Sequence, residues 1–387
     1  MLYRNKFLYL SMVLICLLAL AACGPKADAP QAKLDTPEHH VKNGNKLLEN
    51  GKIDAAFFEF NRAKELDPEY APAYIGLGLV AAYRGDFASG IKTMKTARKY
   101  SRDDEQKRSV SVGFMRVYIM GGEKIDKDWL ELVEDEFSTA KKNGPNHPEA
   151  YYYMGVAYKL SFEFAKASEQ FKKVLQLNSG FIAQADREYA LTQKIERAMP
   201  GSIYGKKIAI LEQITRADVA ALFIEELKID EIYAKKTPKK FDSSFKSPDK
   251  GFVSGQYVKV APAIDIDDHV LKADINAVIE IGIKGLQPFP DHTYRPNQMV
   301  SRAEFAMMVE DILIKITHSD ALATQFIGSK SPFPDLRSDL PYFNAVMTCT
   351  TRGIMTAKDI RTGEFDPMGL ISGADALLSI RALKTQL

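Results

Sequence analysis

A period of about 34 residues runs through the first half of the chain, and it limits the fold more tightly than any other feature of the sequence. Small residues and one larger apolar position keep this spacing in the pairs Gly44 and Gly78, Gly51 and Gly85, Ala63 and Ala97, and Phe60 and Met94. Repeats of this length are pairs of helices, and each pair must stack on a neighbour because it cannot bury its apolar face alone. The period therefore predicts an all-α helical array.

The stretch 43–78 resembles the tetratricopeptide repeat. Its residues on consensus positions are Gly44, Ala56, Phe60, Ala63 and Pro68. A further unit at 148–178 matches through Gly155, Tyr158, Ala167 and Phe171. Residues 105–147 are helical in pattern but off register, which indicates a degenerate repeat with an insertion. With a closing helix at 181–199, the resemblance implies a superhelix of about three to four repeats over residues 37–200.

Tetratricopeptide arrays bind partner proteins along a concave face, which the first helix of each pair forms. By this resemblance, the candidates for contact with an unidentified protein partner are Asn45, Glu49, Tyr83, Tyr152 and Lys159. For each of these side chains the alternative is an ordinary position on the helix surface or in the packing between helices.

The second half of the chain contains a duplication with a constant offset. The matching pairs are Gly282 and Gly353, Ile283 and Ile354, Tyr294 and Phe365, Pro296 and Pro367, Ser301 and Ser372, Ala303 and Ala374, and Glu304 and Asp375. Each copy runs through an apolar helix to Gly-Ile, turns, and begins a new helix at a serine. Because all of these matches fall in one gap-free register, they indicate two copies of one structural unit.

This pattern resembles the S-layer homology domain, whose motif passes through Gly-Ile and a Gly-x-Phe-x-Pro turn to a Thr-Arg-Ala-Glu helix start. The stretch 282–309 is the closer match, 352–378 is weaker, and 214–227 repeats the helix start alone. The resemblance implies a helical bundle of three helix-loop-helix motifs over residues 202–387. The first motif is truncated, and a lysine-rich insert, either a solvated loop or a contact for an anionic polymer, follows at 229–263.

Helix chemistry accounts for most of the helix-start signal. A Ser or Thr hydroxyl at the N-cap accepts a hydrogen bond from the backbone, and an acid three residues later bonds back to the cap and complements the helix dipole. The three pairs of this kind are Thr215 with Asp218, Ser301 with Glu304, and Ser372 with Asp375. We expect all three acids to cap their helices.

Arg216 and Arg302 are not explained by capping, because a cation in the first turn of a helix opposes the helix dipole. The family resemblance implies that these arginines, beside Thr215 and Ser301, contact an anionic cell-wall glycan. Their planar guanidinium groups suit carboxylate or phosphate. An intramolecular ion pair is the open alternative. Gly373 stands where the third arginine is expected, so the third motif is predicted to be structural.

An N-terminal export signal precedes the repeats. Residues 7–22 form an apolar run after a basic start, and the tetrapeptide 20–23 matches the bacterial lipobox. By that resemblance, Cys23 becomes an N-terminus that carries fatty acyl chains such as palmitate, and residues 23–36 form a flexible tether. Several acyl chains anchor a protein stably. We expect an outer-membrane lipoprotein that faces the periplasm; a plain signal peptide with a coincidental cysteine is the alternative.

Charge and motif content narrow the function classes. The chain has 52 Lys and Arg against 50 Asp and Glu, which gives no overall electrostatic case for binding nucleic acid. No phosphate loop, paired-cysteine spacing or nucleophile elbow occurs, so we predict no enzyme, no cofactor and no metal site. The acidic run 265–269 is open to metal binding, but short acids also cap helices. Cys349 is predicted to be a buried small hydrophobic residue.

Two hypotheses from different classes follow. In the first, a lipid-anchored protein binds peptidoglycan or an anionic wall glycan through Arg216 and Arg302, and the repeats bind a partner protein. In the second, the repeats are a scaffold for an envelope complex, and the second half of the chain is purely structural.

Overall fold

The computed structural model describes residues 27–236 and 262–387. Over these two ranges the regular secondary structure is helical apart from two isolated β-bridges, so the fold is all-α. The predicted signal peptide, Cys23 and residues 237–261 of the predicted insert lie outside the described residues. None of the helices in the two described ranges combines the length and the apolar character that a membrane span requires.

The chain divides into two compact units. Its described residues within Met1–Ser161 and Glu169–Asp186 form the first unit, and those within Phe162–Ser168 and Arg187–Leu387 form the second. The helices that contribute to the first unit are α1 (Pro37–Glu49), α2 (Ile53–Leu66), α3 (Ala71–Tyr83), α4 (Phe87–Tyr100), α5 (Asp104–Gly121), α6 (Trp129–Lys142), α7 (Pro148–Leu160), α8 (Phe164–Leu177) and α9 (Ile182–Ala198). The division between the units falls within α8 and α9.

A recurring glycine contact explains why these helices pair. A Cβ atom added to Gly44 would lie 2.6 Å from the ring of Phe60, and one added to Gly155 would lie 2.6 Å from Phe171. Gly78 meets Met94 in the same way, at 3.0 Å. In each case the glycine stands in the first helix of a pair, and the side chain that it meets is fully buried in the second helix. In each of these three pairs, one large side chain of the second helix therefore packs against one glycine of the first.

The off-register segment is a third helix pair. Its first helix, α5, has 18 residues, whereas α1 and α3 have 13 each. A longer connection that contains Gly122 at a positive φ of 51° leads to α6. The longer helix and longer turn account for the insertion that displaces the period.

The second unit begins within α8 and α9 and continues through a further set of helices in the described ranges. They are α10 (Ile203–Ala209), α11 (Arg216–Ala221, continued by a π-helical turn), α12 (Ile229–Lys236), α13 (Lys272–Ile281), α14 (Arg302–Thr317), α15 (Phe343–Thr351) and α16 (Gly373–Lys384). The duplicated copies are α13 with α14, and α15 with α16. The first helix of each copy leads into a left-handed glycine, Gly282 at φ 75° and Gly353 at φ 69°.

Three helix starts meet in a closed ring of backbone hydrogen bonds. The N–H of Ile214 donates to the carbonyl of Ile371 (3.2 Å), Ile371 donates to Val300 (3.0 Å), and Val300 donates to Ile214 (3.0 Å). Each of these residues immediately precedes the N-cap of α11, α14 or α16. The three motifs, which are distant in sequence, are therefore tied to one another at equivalent positions.

Candidate binding sites

The predicted caps lie at the start of the three helices in this ring. Thr215 and Asp218 form a capping box at α11, and Ser301 and Glu304 form one at α14. At α16 the Ser372 hydroxyl accepts from the N–H of Asp375, while the Asp375 carboxylate also accepts from Lys194 at 2.7 Å. Burial opposes ionisation of Asp375, but Lys194, Ser372 and Lys358 outweigh it and hold the pKa of this carboxyl below its ordinary value.

The guanidinium group of Arg216 binds the loop of the next motif. Its Nε donates to the carbonyl of Tyr294 (2.9 Å), Nη2 donates to that of Gln287 (3.1 Å), and Nη1 donates to that of Gly285. The group also lies over the ring of Phe289, 4.9 Å from its centroid. Only 6% of the residue is exposed, so Arg216 holds together a loop that is distant from it in sequence.

Arg302 repeats this arrangement with one contact fewer. Its Nε donates to the carbonyl of Phe365 (2.8 Å) and its Nη2 to that of Thr356 (2.7 Å). Among the residues that the structure describes, Nη1 has no hydrogen-bond acceptor. No carboxylate in the described ranges lies within ion-pair distance of Arg302 or of Arg216. The structure thus replaces the ion-pair alternative with binding to main-chain carbonyls.

Each arginine lies at the edge of a groove. The Arg216 groove has a volume of about 370 Å³ and includes Lys284, Phe289, Glu304, Met307 and Met308. The Arg302 groove has a volume of about 410 Å³ and includes Arg197, Asp375, Leu378, Ser379 and Arg381. The register of the duplication relates Glu304, Met307 and Met308 to Asp375, Leu378 and Ser379. The two grooves are therefore equivalent places in successive motifs.

At the start of α16, the third helix start of the ring, there is no space for a side chain at the position of the arginine. Gly373 donates its N–H to the carbonyl of Leu211 (3.0 Å), and a Cβ atom at Gly373 would lie 1.8 Å from the carbonyl oxygen of Ile208. Only a short connection separates α10 from α11, whereas a long loop precedes α14 and another precedes α16. Because the first motif is truncated, its helix α10 occupies the place where an arginine side chain at position 373 would lie. Only glycine fits at this position.

The acidic run 265–269 supports the second motif's loop. The carboxylate of Asp265 accepts from the backbone N–H groups of Tyr294 (2.6 Å) and Arg295 (2.7 Å). Asp335 holds the third motif's loop in the same way, through the N–H groups of Phe365 (2.9 Å) and Asp366 (2.6 Å). In the described part of the chain, no cluster of three or more acidic, histidine or cysteine side chains is arranged to hold a metal ion.

The first unit has a separate groove of about 670 Å³ along the first helices of its pairs. Of the predicted partner-binding residues, Asn45, Glu49, Tyr83 and Tyr152 line it. Lys159 is not among the lining residues.

Sequence reasoning missed Arg116, which also lines this groove. Its guanidinium group stands 5.1 Å from the ring centroid of Tyr153. Burial lowers the pKa of Arg116, but Tyr153, Tyr83 and Glu149 outweigh burial and raise it overall, so the side chain is charged. Arg116 belongs to α5, in the off-register repeat, where consensus positions could not be carried over.

The S-layer homology domain family matches residues 286–306 and 332–377 of the chain. These ranges contain the loop and helix start of the second motif and most of the third. A solved structure described as "Functional Characterization of Pseudomonas Aeruginosa pilF" is similar to this chain at 14% identity, covering 43% of this chain and 93% of its own, with a TM-score of 0.23. No curated protein matches the chain.

Proposed function

We propose that this protein binds an anionic cell-wall polymer through its second unit and a partner protein through the groove of its first unit, while a lipid on Cys23 holds it to the outer membrane on the periplasmic side. The observation that carries the wall-binding part is the family match, because the matched ranges include Arg302 and 353–356 of the Arg302 groove and 287–290 of the Arg216 groove. The membrane part rests on the lipobox resemblance of the tetrapeptide 20–23. The proposal assigns binding and anchoring roles and no catalytic role.

The Arg302 groove is the better candidate for contact with the polymer. Arg197 and Arg381 are exposed at its rim, and Asp375, the one acid among its described lining residues, is already paired with Lys194. The Nη1 group of Arg302 is left without an acceptor among the described residues, whereas each nitrogen of the Arg216 guanidinium is bound. A groove with excess positive charge and an unused guanidinium N–H fits a carboxylate or a phosphate group.

The test is co-sedimentation of the full chain with purified cell walls. Exchanging both rim arginines, Arg197→Gln with Arg381→Gln, is expected to weaken sedimentation about tenfold, a change of about 1.4 kcal/mol. The matched control, Lys207→Gln with Lys330→Gln, removes the same charge from exposed positions outside the groove and is expected to have little effect. A wild-type chain that stays in the supernatant contradicts the wall-binding proposal.

A second candidate function is a scaffold in which the second unit binds no polymer. The contacts of Arg216 favour it, because a guanidinium bonded to three main-chain carbonyls has a sufficient structural role. The wall experiment separates the two candidates: a scaffold does not sediment with walls, yet it still captures its partner protein through the groove of the first unit.

A further inference from the structure

The groove of the first unit carries more unpaired acid than base. Glu49, Glu105 and Glu149 line it, and no cation of the described ranges lies within ion-pair distance of any of them. Asp103 adds a fourth carboxylate, which caps α5. Against these four acids the described lining contains a single basic side chain, Arg116, so the groove has a net negative charge. These carboxylates would repel an anionic peptide segment along most of its length.

Aromatic rings line the same groove as these carboxylates. The lining includes Tyr70, Tyr83, Tyr152, Tyr153 and Phe181. Aromatic faces attract ammonium and guanidinium groups and also cover the methylene stems of lysine and arginine. Arg116 shows this contact within the groove itself, since its guanidinium lies over Tyr153. The wall is therefore chemically suited to a basic side chain that enters from outside.

Side-chain amides complete the lining. Asn45 and Gln184 are exposed in the groove, and the structure shows no hydrogen bond from either side chain to another described residue. Each amide supplies a donor and an acceptor, which suits the alternating N–H and C=O groups of an extended peptide backbone. The guanidinium of Arg116 adds donors for a main-chain carbonyl. A volume of about 670 Å³ lies within the range of clefts that hold compact ligands or short peptide segments.

From these observations we propose that the groove binds an extended peptide segment of a partner protein that carries lysine or arginine side chains. The basic side chains bind Glu49, Glu105 and Glu149, their stems lie on the tyrosine rings, and Asn45 and Gln184 bind the peptide backbone. This inference rests on the partner-binding part of the proposed function and specifies the chemistry of the partner.

The experiment measures binding of the full chain to three fluorescent peptides of equal length by anisotropy. The peptides share a Gly, Ser and Tyr backbone and differ only in four positions, which are all Lys, all Gln or all Glu. The Lys peptide is expected to bind at least tenfold tighter than the Gln peptide, and its affinity is expected to fall as salt is added. The Glu peptide is expected to bind most weakly.

Charge-matched variants show whether the groove is the site. Glu49→Gln, Glu105→Gln and Glu149→Gln together are expected to weaken binding of the Lys peptide about tenfold. The control, Glu131→Gln, Asp135→Asn and Glu169→Gln, makes the same change at exposed carboxylates outside the groove and is expected to leave affinity unchanged. Equal loss in both variants overturns the inference, since net charge alone would explain it. Absence of binding to the Lys peptide overturns it as well.

The outcome also separates this inference from the proposed function. Tight binding of the Glu peptide that is lost in Arg116→Gln keeps partner recruitment through the groove but overturns the basic charge that we assign to the partner. Self-association of the chain that is lost in the groove variant, without binding of any peptide, overturns the inference in favour of a second copy as the occupant. Wall co-sedimentation involves the other unit and is unaffected by each of these results.

Discussion

Replacing Arg216 with methionine tests whether this arginine serves the fold, as its contacts indicate. The substitution keeps an unbranched apolar stem but removes three hydrogen bonds to main-chain carbonyls. The bond to the carbonyl of Tyr294 is buried, so losing its donor costs about 1–3 kcal/mol. The bonds to the carbonyls of Gly285 and Gln287 are only partly buried, and each loss there costs about 1 kcal/mol.

The free energy of unfolding is therefore expected to fall by about 3–5 kcal/mol in Arg216→Met. Arg302→Met removes two such bonds and is expected to lose about 2–4 kcal/mol. Arg295→Met is the matched control. Its half-exposed guanidinium pairs with Asp291 at 3.0 Å on the surface, so its loss is expected to stay within about 1 kcal/mol.

Urea unfolding followed by circular dichroism measures these differences, because both units are helical. Trp129 fluorescence is unsuitable for this purpose, since the chain's only tryptophan belongs to the first unit. Hydrogen exchange of the loop 285–298 adds a local measurement and is expected to accelerate in Arg216→Met. A loss below about 1 kcal/mol, equal to that of Arg295→Met, refutes the structural role that we assign to Arg216.

Three further predictions concern Gly373, the acid at α16 and the buried thiol. Gly373→Ala is expected to lower the free energy of unfolding by about 3 kcal/mol or more, because its Cβ would overlap the carbonyl of Ile208; unchanged stability in urea contradicts this packing. Because the pKa of Asp375 is lower in the folded chain than its ordinary value of 3.8, the ionised carboxylate adds to the free energy of unfolding above pH 3.8, and this contribution is lost as pH falls through the folded pKa. Unfolding curves measured at a series of pH values are expected to show this loss in the wild-type chain but not in Asp375→Asn. Burial raises the pKa of Cys349, so a thiol reagent is expected to label it only as fast as the chain opens; rapid labelling under native conditions, located by peptide mapping, contradicts its burial.

Much of the fold is predictable from the sequence because its determinants are local or strictly periodic. Gly44, Gly78 and Gly155 each pack against a large side chain, and the number of residues from the glycine to that side chain is the same in all three cases. A regular spacing in sequence therefore corresponds to a regular packing of helices. The duplication in the second half is also visible, since its cap residues are specified within a single turn. The all-α fold class predicted from these patterns is confirmed by the structure.

The candidate sites are less predictable because their contacts cross between motifs. The carbonyls that Arg216 binds belong to Gly285, Gln287 and Tyr294, which lie in the next motif, and no local pattern around Arg216 indicates them. Main-chain acceptors also leave no signature in side-chain identity. For the first unit, the family consensus located Asn45 in the groove but did not reach Arg116, whose helix departs from the period.

The central claim is that an anionic wall polymer binds at the Arg302 groove. Hydrogen exchange of the full chain, measured with and without soluble cell-wall fragments, tests it most directly because it locates the contact. We predict slower exchange in the segments 353–356 and 375–385, which contain lining residues of that groove, and little change in 284–290, which contains lining residues of the Arg216 groove. Protection confined to 284–290, or no protection in either segment, contradicts the claim.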